Sequence, residues 1–273
     1  MDNRQLYTSG DCASMEEECD KMSIVQDHKD NHKVGGQNCL AVTEGQFCAM
    51  FYHVKERKRD KISFKCLEES KCKIGNLKRL RSNPRARART VVVYVRLIDR
   101  VDGLIFHARY GNCFQAKRRN RIHAEHFMLE DEEFKQYVEV LGDHEGGKIE
   151  MYMNKQPCFR STRVKSKKCA QDLADFYNSY CLPRQIKLTI NVCQLYKVDM
   201  RPSPSRKGDI ENALEGVRIL RSAGIELKAM NEKSWKQLAG YANIKLRVNI
   251  YRDREKLDRH IAKFLERRDL QAK

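Results

Sequence analysis

The sequence predicts an α/β fold, a sandwich of helices on a five-stranded sheet whose later strands run parallel. Three observations carry that prediction. β-Branched and aromatic runs recur at 90–99, 103–114, 148–155, 185–197 and 225–230, the composition of strands that pack in a sheet. Stretches with apolar residues at helical spacing separate the later runs. A strand, a helix and a second strand in succession are joined by a crossover, which sets neighbouring strands parallel.

The elements follow in order. TVVVYVRLID (90–99) and GLIFHARYGNCF (103–114) flank a short turn at Asp102-Gly103 and read as a hairpin. HAEHFMLEDEEFKQYVEVL (123–141) places Phe127, Met128, Phe134, Tyr137, Val138 and Leu141 at helical spacing, so it reads as one helix ended by Gly142. KIEMYMNK (148–155) alternates as a strand and runs into Pro157-Cys158. A helix over about 168–181 stops at Pro183, and QIKLTINVCQLYK (185–197) is the fourth strand. After the loop VDMRPSPSRKGD, a helix runs from Asp209 to about Ser222, and IELKAM (225–230) is the fifth strand. MNEKSWKQLAGYA and DREKLDRHIAKFLERR (253–268) close the chain as helices. Upstream, GQFCAMFYHVKERKR reads as a first helix, and KCKIGNLKRLRSNPRARART (71–90), broken by Gly75 and Pro84, as a charged loop.

Charge divides the 273-residue chain. Residues 1–45 hold nine acidic against four basic groups, a balance of −5, so the remainder carries +22 within a total of +17. The acidic part lacks periodicity and reads as a disordered leader, with one domain over 46–273. A domain this basic calls for a polyanionic partner, most simply nucleic acid. Its clusters are Arg79, Arg81, Arg85, Arg87 and Arg89; Lys117, Arg118, Arg119 and Arg121; and Arg201, Arg206 and Lys207. The opening MDNRQLYTSGDC has neither the basic nor the apolar part of a secretory signal, and no apolar run reaches the roughly 20 residues of a membrane helix. The expectation is a protein of the nucleus or cytoplasm, not secreted and without a membrane partner. Its eleven cysteines are then reduced, with some binding metal.

The chemistry gathers at element boundaries. His123-Ala124-Glu125 opens a helix, Pro157-Cys158 ends a strand, and Cys169 opens the next helix. One imidazole and two thiolates make the three-ligand set of a catalytic zinc ion, and Glu125 serves as proton carrier rather than fourth ligand. Were 158–169 one helix, its ends would lie roughly 16 Å apart, too far for two thiolates to share an ion. Shared coordination therefore requires FRSTRVKSKK to loop out, with the helix starting near Lys168. The competing reading makes both cysteines buried apolar side chains and His123 a helix cap. Cys181 is the rival second thiolate, but it sits at the far end of its helix.

With HAE and PC, the stretch INVCQLYK…ENALEGVRILRSAGIELKAMNEKSWKQLAGY resembles the animal AID/APOBEC family of polynucleotide cytosine deaminases over roughly 46–273. In that family a strand ending in an RLY-type motif precedes a helix of EGLRRL type, then AG and a short strand ending in methionine. The resemblance implies a cytidine-deaminase-like three-layer α/β/α sandwich with a five-stranded mixed sheet, its fourth and fifth strands parallel. It implies that His123, Cys158 and Cys169 bind Zn2+ and that Glu125 shuttles the proton as water attacks C4 of cytosine. Tyr196 falls where the family has a tyrosine that stacks on a base. Asn120 lies in the loop before HAE, where the family uses an asparagine. Arg118, Arg119, Arg121, Arg160 and Arg163 become phosphate contacts for single-stranded DNA or RNA.

The chain departs from the family at one place. Where the family reads SWSPC, then a cysteine after two to four residues, MNKQPC has Lys155 and Gln156 at the tryptophan and serine positions, and ten residues intervene. The resemblance points to deamination of cytosine in single-stranded nucleic acid, DNA before RNA, with immune or genome-mutating roles known at family level. The alternatives are a catalytically silent, zinc-stabilised nucleic-acid-binding protein and a deaminase of free cytidine.

Overall fold

The computed structural model describes residues 64–65, 91–111, 123–143, 147–160, 168–196, 198, 207–242 and 248–267. The leader expected at 1–45, the first helix expected at 45–59 and the charged loop expected at 71–90 lie outside these residues, apart from Phe64–Lys65, which falls between them.

Each expected strand forms. β2 (Val92–Asp99) and β3 (Leu104–Gly111) make the hairpin, and β4 (Gly147–Met153), β5 (Ile186–Val192) and β6 (Glu226–Ala229) follow. A two-residue strand, β1 (Phe64–Lys65), adds to the edge of β3. The sheet order is β1-β3-β2-β4-β5-β6. β2 pairs antiparallel with β3 and β4, whereas β4, β5 and β6 run parallel. The hairpin turns because Asp102 adopts a left-handed φ of 61°, which aspartate tolerates. The Asp99 carboxylate accepts from the Val101 and Gly103 N–H groups and holds the turn closed.

The connecting helices are α1 (Ala124–Glu130), α2 (Glu132–Asp143), α3 (Cys169–Phe176), α4 (Lys207–Ser222), α5 (Glu232–Ala242) and α6 (Val248–Leu265). The expected single helix over 123–141 is two helices. Asp131 takes an extended conformation between them, and its side chain is fully engaged there. Oδ1 accepts from the Glu133 N–H at 3.2 Å, while Oδ2 accepts from the Tyr110 hydroxyl at 2.6 Å. Asp131 is thus the N-cap of α2, and the apolar spacing carries across the break without registering it.

Side chains alternate across the sheet and build two layers of contact. Val93, Val95, Leu97, Ile149, Met151, Met153, Leu188 and Ile190 are buried in the main core with Phe134 of α2 and Leu173 and Phe176 of α3. On the opposite face, Tyr94 and Tyr152 meet Tyr241 of α5 with ring centroids 6.1 and 6.0 Å apart. Arg96 lies there 3.1 Å from Glu150, its direct cross-strand partner, with its guanidinium 3.8 Å from the Tyr241 ring centre. Helices on both faces of one mixed sheet make the α/β/α sandwich.

The later connections are tightly closed. α4 ends on Gly224 at φ +90°, where the Ile225 N–H reaches back to the Leu220 carbonyl; glycine takes that conformation without strain. α6 is anchored by a buried arginine. Arg254 Nε donates to Asp258 Oδ1 at 2.7 Å, Trp235 Nε1 donates to Oδ2 of the same carboxylate, and Arg254 Nη2 donates to the Cys193 carbonyl just past β5.

Candidate metal centre

The site forms at the carboxyl ends of β4 and β5, where open α/β sheets place their ligands. Five residues past β4, Cys158 lies in chain without regular structure, and it is 2% exposed. α3 begins at Cys169, as the spacing argument required, with Lys168 as its N-cap. The loop expected between them falls at 161–167, outside the described residues. The Ala170 N–H donates to the Cys158 carbonyl at 3.0 Å and fixes the two cysteines relative to each other.

His123 is the N-cap of α1 in extended conformation, and its side chain makes no capping bond. Its ring turns toward the sulfurs instead: Nδ1 lies 3.1 Å from Cys169 Sγ and 3.6 Å from Cys158 Sγ. All three ligand atoms lie within 4.8 Å of one another. A tetrahedral zinc ion, with Zn–S near 2.3 Å and Zn–N near 2.0 Å, spaces such atoms about 3.6 Å apart. The donor set and its spacing therefore fit zinc. A second link, His126 Nε2 to Asp172 Oδ2 at 3.2 Å, joins α1 to α3.

Glu125 completes the arrangement from the first turn of α1. It is 3% exposed, and its Oε2 has no hydrogen-bond partner among the described residues. Burial pushes the Glu125 carboxyl up to about 7, against a smaller lowering by His123. The sulfurs are poised unequally. The hydrogen bond from Cys169 pulls Cys158 down to about 5 with help from His123, and the same bond, with burial, drives Cys169 up. An ion held here would take both sulfurs as thiolates, the ligating form.

The other expected site residues divide. Tyr196 is half-buried and follows β5, whose exit runs beside the Cys158 segment: the Cys193 N–H donates to the Met153 carbonyl, and the Gln156 N–H to the Gln194 carbonyl. Arg160 is exposed two residues past Cys158, its guanidinium 4.9 Å from the Phe159 ring centre. Arg118, Arg119, Asn120, Arg121 and Arg163 lie outside the described residues, as do most of the basic clusters. Cys181 is buried at the far end of the helical stretch that α3 opens, and burial pushes its thiol up to about 12, the mark of a core cysteine. Sequence reasoning missed Gln156. It is 1% exposed and donates Nε2 to the Ala213 carbonyl of α4 at 2.8 Å. Its only sequence signal was that it stands in a family position held by another residue.

An α/β/α sandwich that gathers one histidine, two cysteines and a buried glutamate at the ends of its parallel strands has the layout of the cytidine-deaminase-like proteins. The family model described as APOBEC4-like AID/APOBEC-deaminase matches residues 26–167, just over half of the chain. The chain belongs to that family. The match takes in His123, Glu125 and Cys158 and ends two residues before Cys169. No curated protein matches the sequence.

Proposed function

We propose that this protein deaminates cytosine to uracil in single-stranded nucleic acid, DNA before RNA, as a zinc enzyme. The observation that carries the reading is the buried Glu125 oxygen, unpartnered among the described residues, two residues from His123 in a set of three zinc-competent atoms that lie within 4.8 Å of one another. His123 Nδ1, Cys158 Sγ and Cys169 Sγ would hold the ion. Zinc bound there supplies Lewis-acid activation of a water molecule.

Glu125 takes a proton from the attacking water and returns it to the pyrimidine as the C4–N bond breaks, so that ammonia leaves and uracil remains. Its burial keeps bulk water from competing for that proton. Tyr196 offers a stacking surface at the strand end nearest the site. Arg160, with Arg118, Arg119, Arg121 and Arg163, would neutralise phosphates, and Asn120 would contact the target nucleotide. The basic remainder of the chain, at +22, supports a polymer rather than a free nucleoside.

The experiment is uracil formation in a cytosine-containing oligonucleotide, read beside Glu125→Ala with zinc content measured on both. Product from the parent and none from a zinc-loaded variant supports the reading. No product on any cytosine-containing strand, with zinc bound, overturns it. In that case a silent, zinc-stabilised nucleic-acid binder takes its place. That second reading draws support from Gln156, which turns into α4 where the family pattern has a serine.

A further inference from the structure

We propose that helix α4 is a clamp that positions Cys158, with Asn212, Gln156 and Gly216 as its positioning residues. The proposal rests on the zinc reading above and assigns work to residues that touch neither metal nor substrate.

The need for a clamp follows from where Cys158 sits. β4 ends at Met153. Past it the chain keeps a bond from the Gln156 N–H to the Gln194 carbonyl and one from the Ala170 N–H to the Cys158 carbonyl. These leave the residues just beyond the sulfur to be held by another element. A ligand on unbraced chain loses conformational freedom each time an ion binds, and that loss weakens affinity.

α4 supplies further bonds on both sides of the sulfur. The Arg160 N–H donates to Asn212 Oδ1 at 3.0 Å, and Asn212 Nδ2 donates to the Arg160 carbonyl at 3.0 Å. One carboxamide carries an acceptor and a donor side by side. It therefore serves both polar groups of one backbone residue, as a neighbouring strand would. Upstream of the sulfur, the buried Gln156 side chain donates to the Ala213 carbonyl at 2.8 Å. Between these bonds the segment rests on helix backbone. A Cβ at Gly216 would stand 3.1 Å from the Pro157 carbonyl oxygen and 3.4 Å from the Phe159 nitrogen, tight enough to push the segment outward. Asn212 and Gly216 are four apart and so lie on one face of α4. Residues 156 to 160 are thus held at both ends and braced in the middle, with Cys158 at the centre.

The test uses the full chain and four variants: Asn212→Ala, Asn212→Asp, Gly216→Ala, and Glu211→Ala as an exposed control on the same helix. Zinc affinity is measured by competition with a chromophoric chelator. Coordination is read from the absorption of the cobalt(II)-substituted protein, and each metal-free form is melted. Asn212→Ala and Gly216→Ala are expected to weaken zinc about 10-fold or more and to alter the thiolate-to-cobalt band. The metal-free melting temperature should move far less. Asn212→Asp keeps the acceptor and loses the donor, so it falls between and decides the matter if the alanine variant does not fold. Glu211→Ala matches the parent. Parent-like zinc affinity and cobalt spectra in the Asn212 and Gly216 variants overturn the clamp and leave the zinc reading standing. A parent chain that takes up no zinc overturns both.

Discussion

The backbone N–H of Ala170 donates to the carbonyl of Cys158 at 3.0 Å, joining the two sulfur positions across ten intervening residues. That bond makes the pairing a property of the backbone, and it separates Cys169 from the other buried cysteines.

Cys169→Ala should therefore lose the bound zinc, whereas Cys181→Ala should keep one equivalent per chain. Metal analysis of the purified proteins checks this. Chelation of the parent should reproduce the Cys169→Ala melting temperature, because metal binding energy is folding energy in a site of this kind. Full zinc occupancy in Cys169→Ala would break the assignment.

Glu125→Ala should lower oligonucleotide deamination by about 10²- to 10⁴-fold, the usual share of a general acid–base group, with zinc retained. The same change removes a carboxyl whose charged form burial already disfavours. The variant should therefore melt no lower than the parent, and calorimetry of the two proteins reads it directly.

Asp131→Ala should destabilise the fold by about 1–2 kcal/mol. It removes the cap on Glu133 and the acceptor of the Tyr110 hydroxyl together. Urea unfolding measures the loss. Asp131→Asn, which keeps one acceptor and puts a donor in place of the other, should recover part of it.

Arg254→Ala should cost about 3–5 kcal/mol, since it strands a buried carboxylate. Burial already raises the Asp258 carboxyl above its ordinary range, against the lowering pull of Arg254. Without that cation it rises further. A carboxyl raised in the folded state favours folding at low pH and loses that contribution as pH rises through its folded value. The deficit of Arg254→Ala should accordingly shrink on acidification, and melting series at several pH values test the sign.

Much of this architecture was legible because the periodicities are strong. The β-branched run at 90–99 and the alternation at 148–155 survive as β2 and β4, and α3 starts at Cys169, where helix rise and a shared ion together require it. The break at Asp131 was not legible. Phe127 and Met128 before it and Phe134, Val138 and Leu141 after it all face the same core, so the spacing reads through. Gln156 was missed for a different reason. In the polar run MNKQ it looks solvated, and only an element 57 residues downstream shows that it is buried. Asn212 is hidden likewise. Its partner is backbone, and no side-chain pattern announces a bond to an N–H and a C=O.

The hold of Arg254 on the Cys193 carbonyl spans 61 residues, and it sets an order of events during synthesis. As the chain leaves the ribosome, His123, Glu125, Cys158 and Cys169 are all exposed to metal before α6 exists. The strand end that leads to Tyr196 gains its anchor only when the final helix has emerged. A chain truncated before Arg254 would leave that strand end without its anchor.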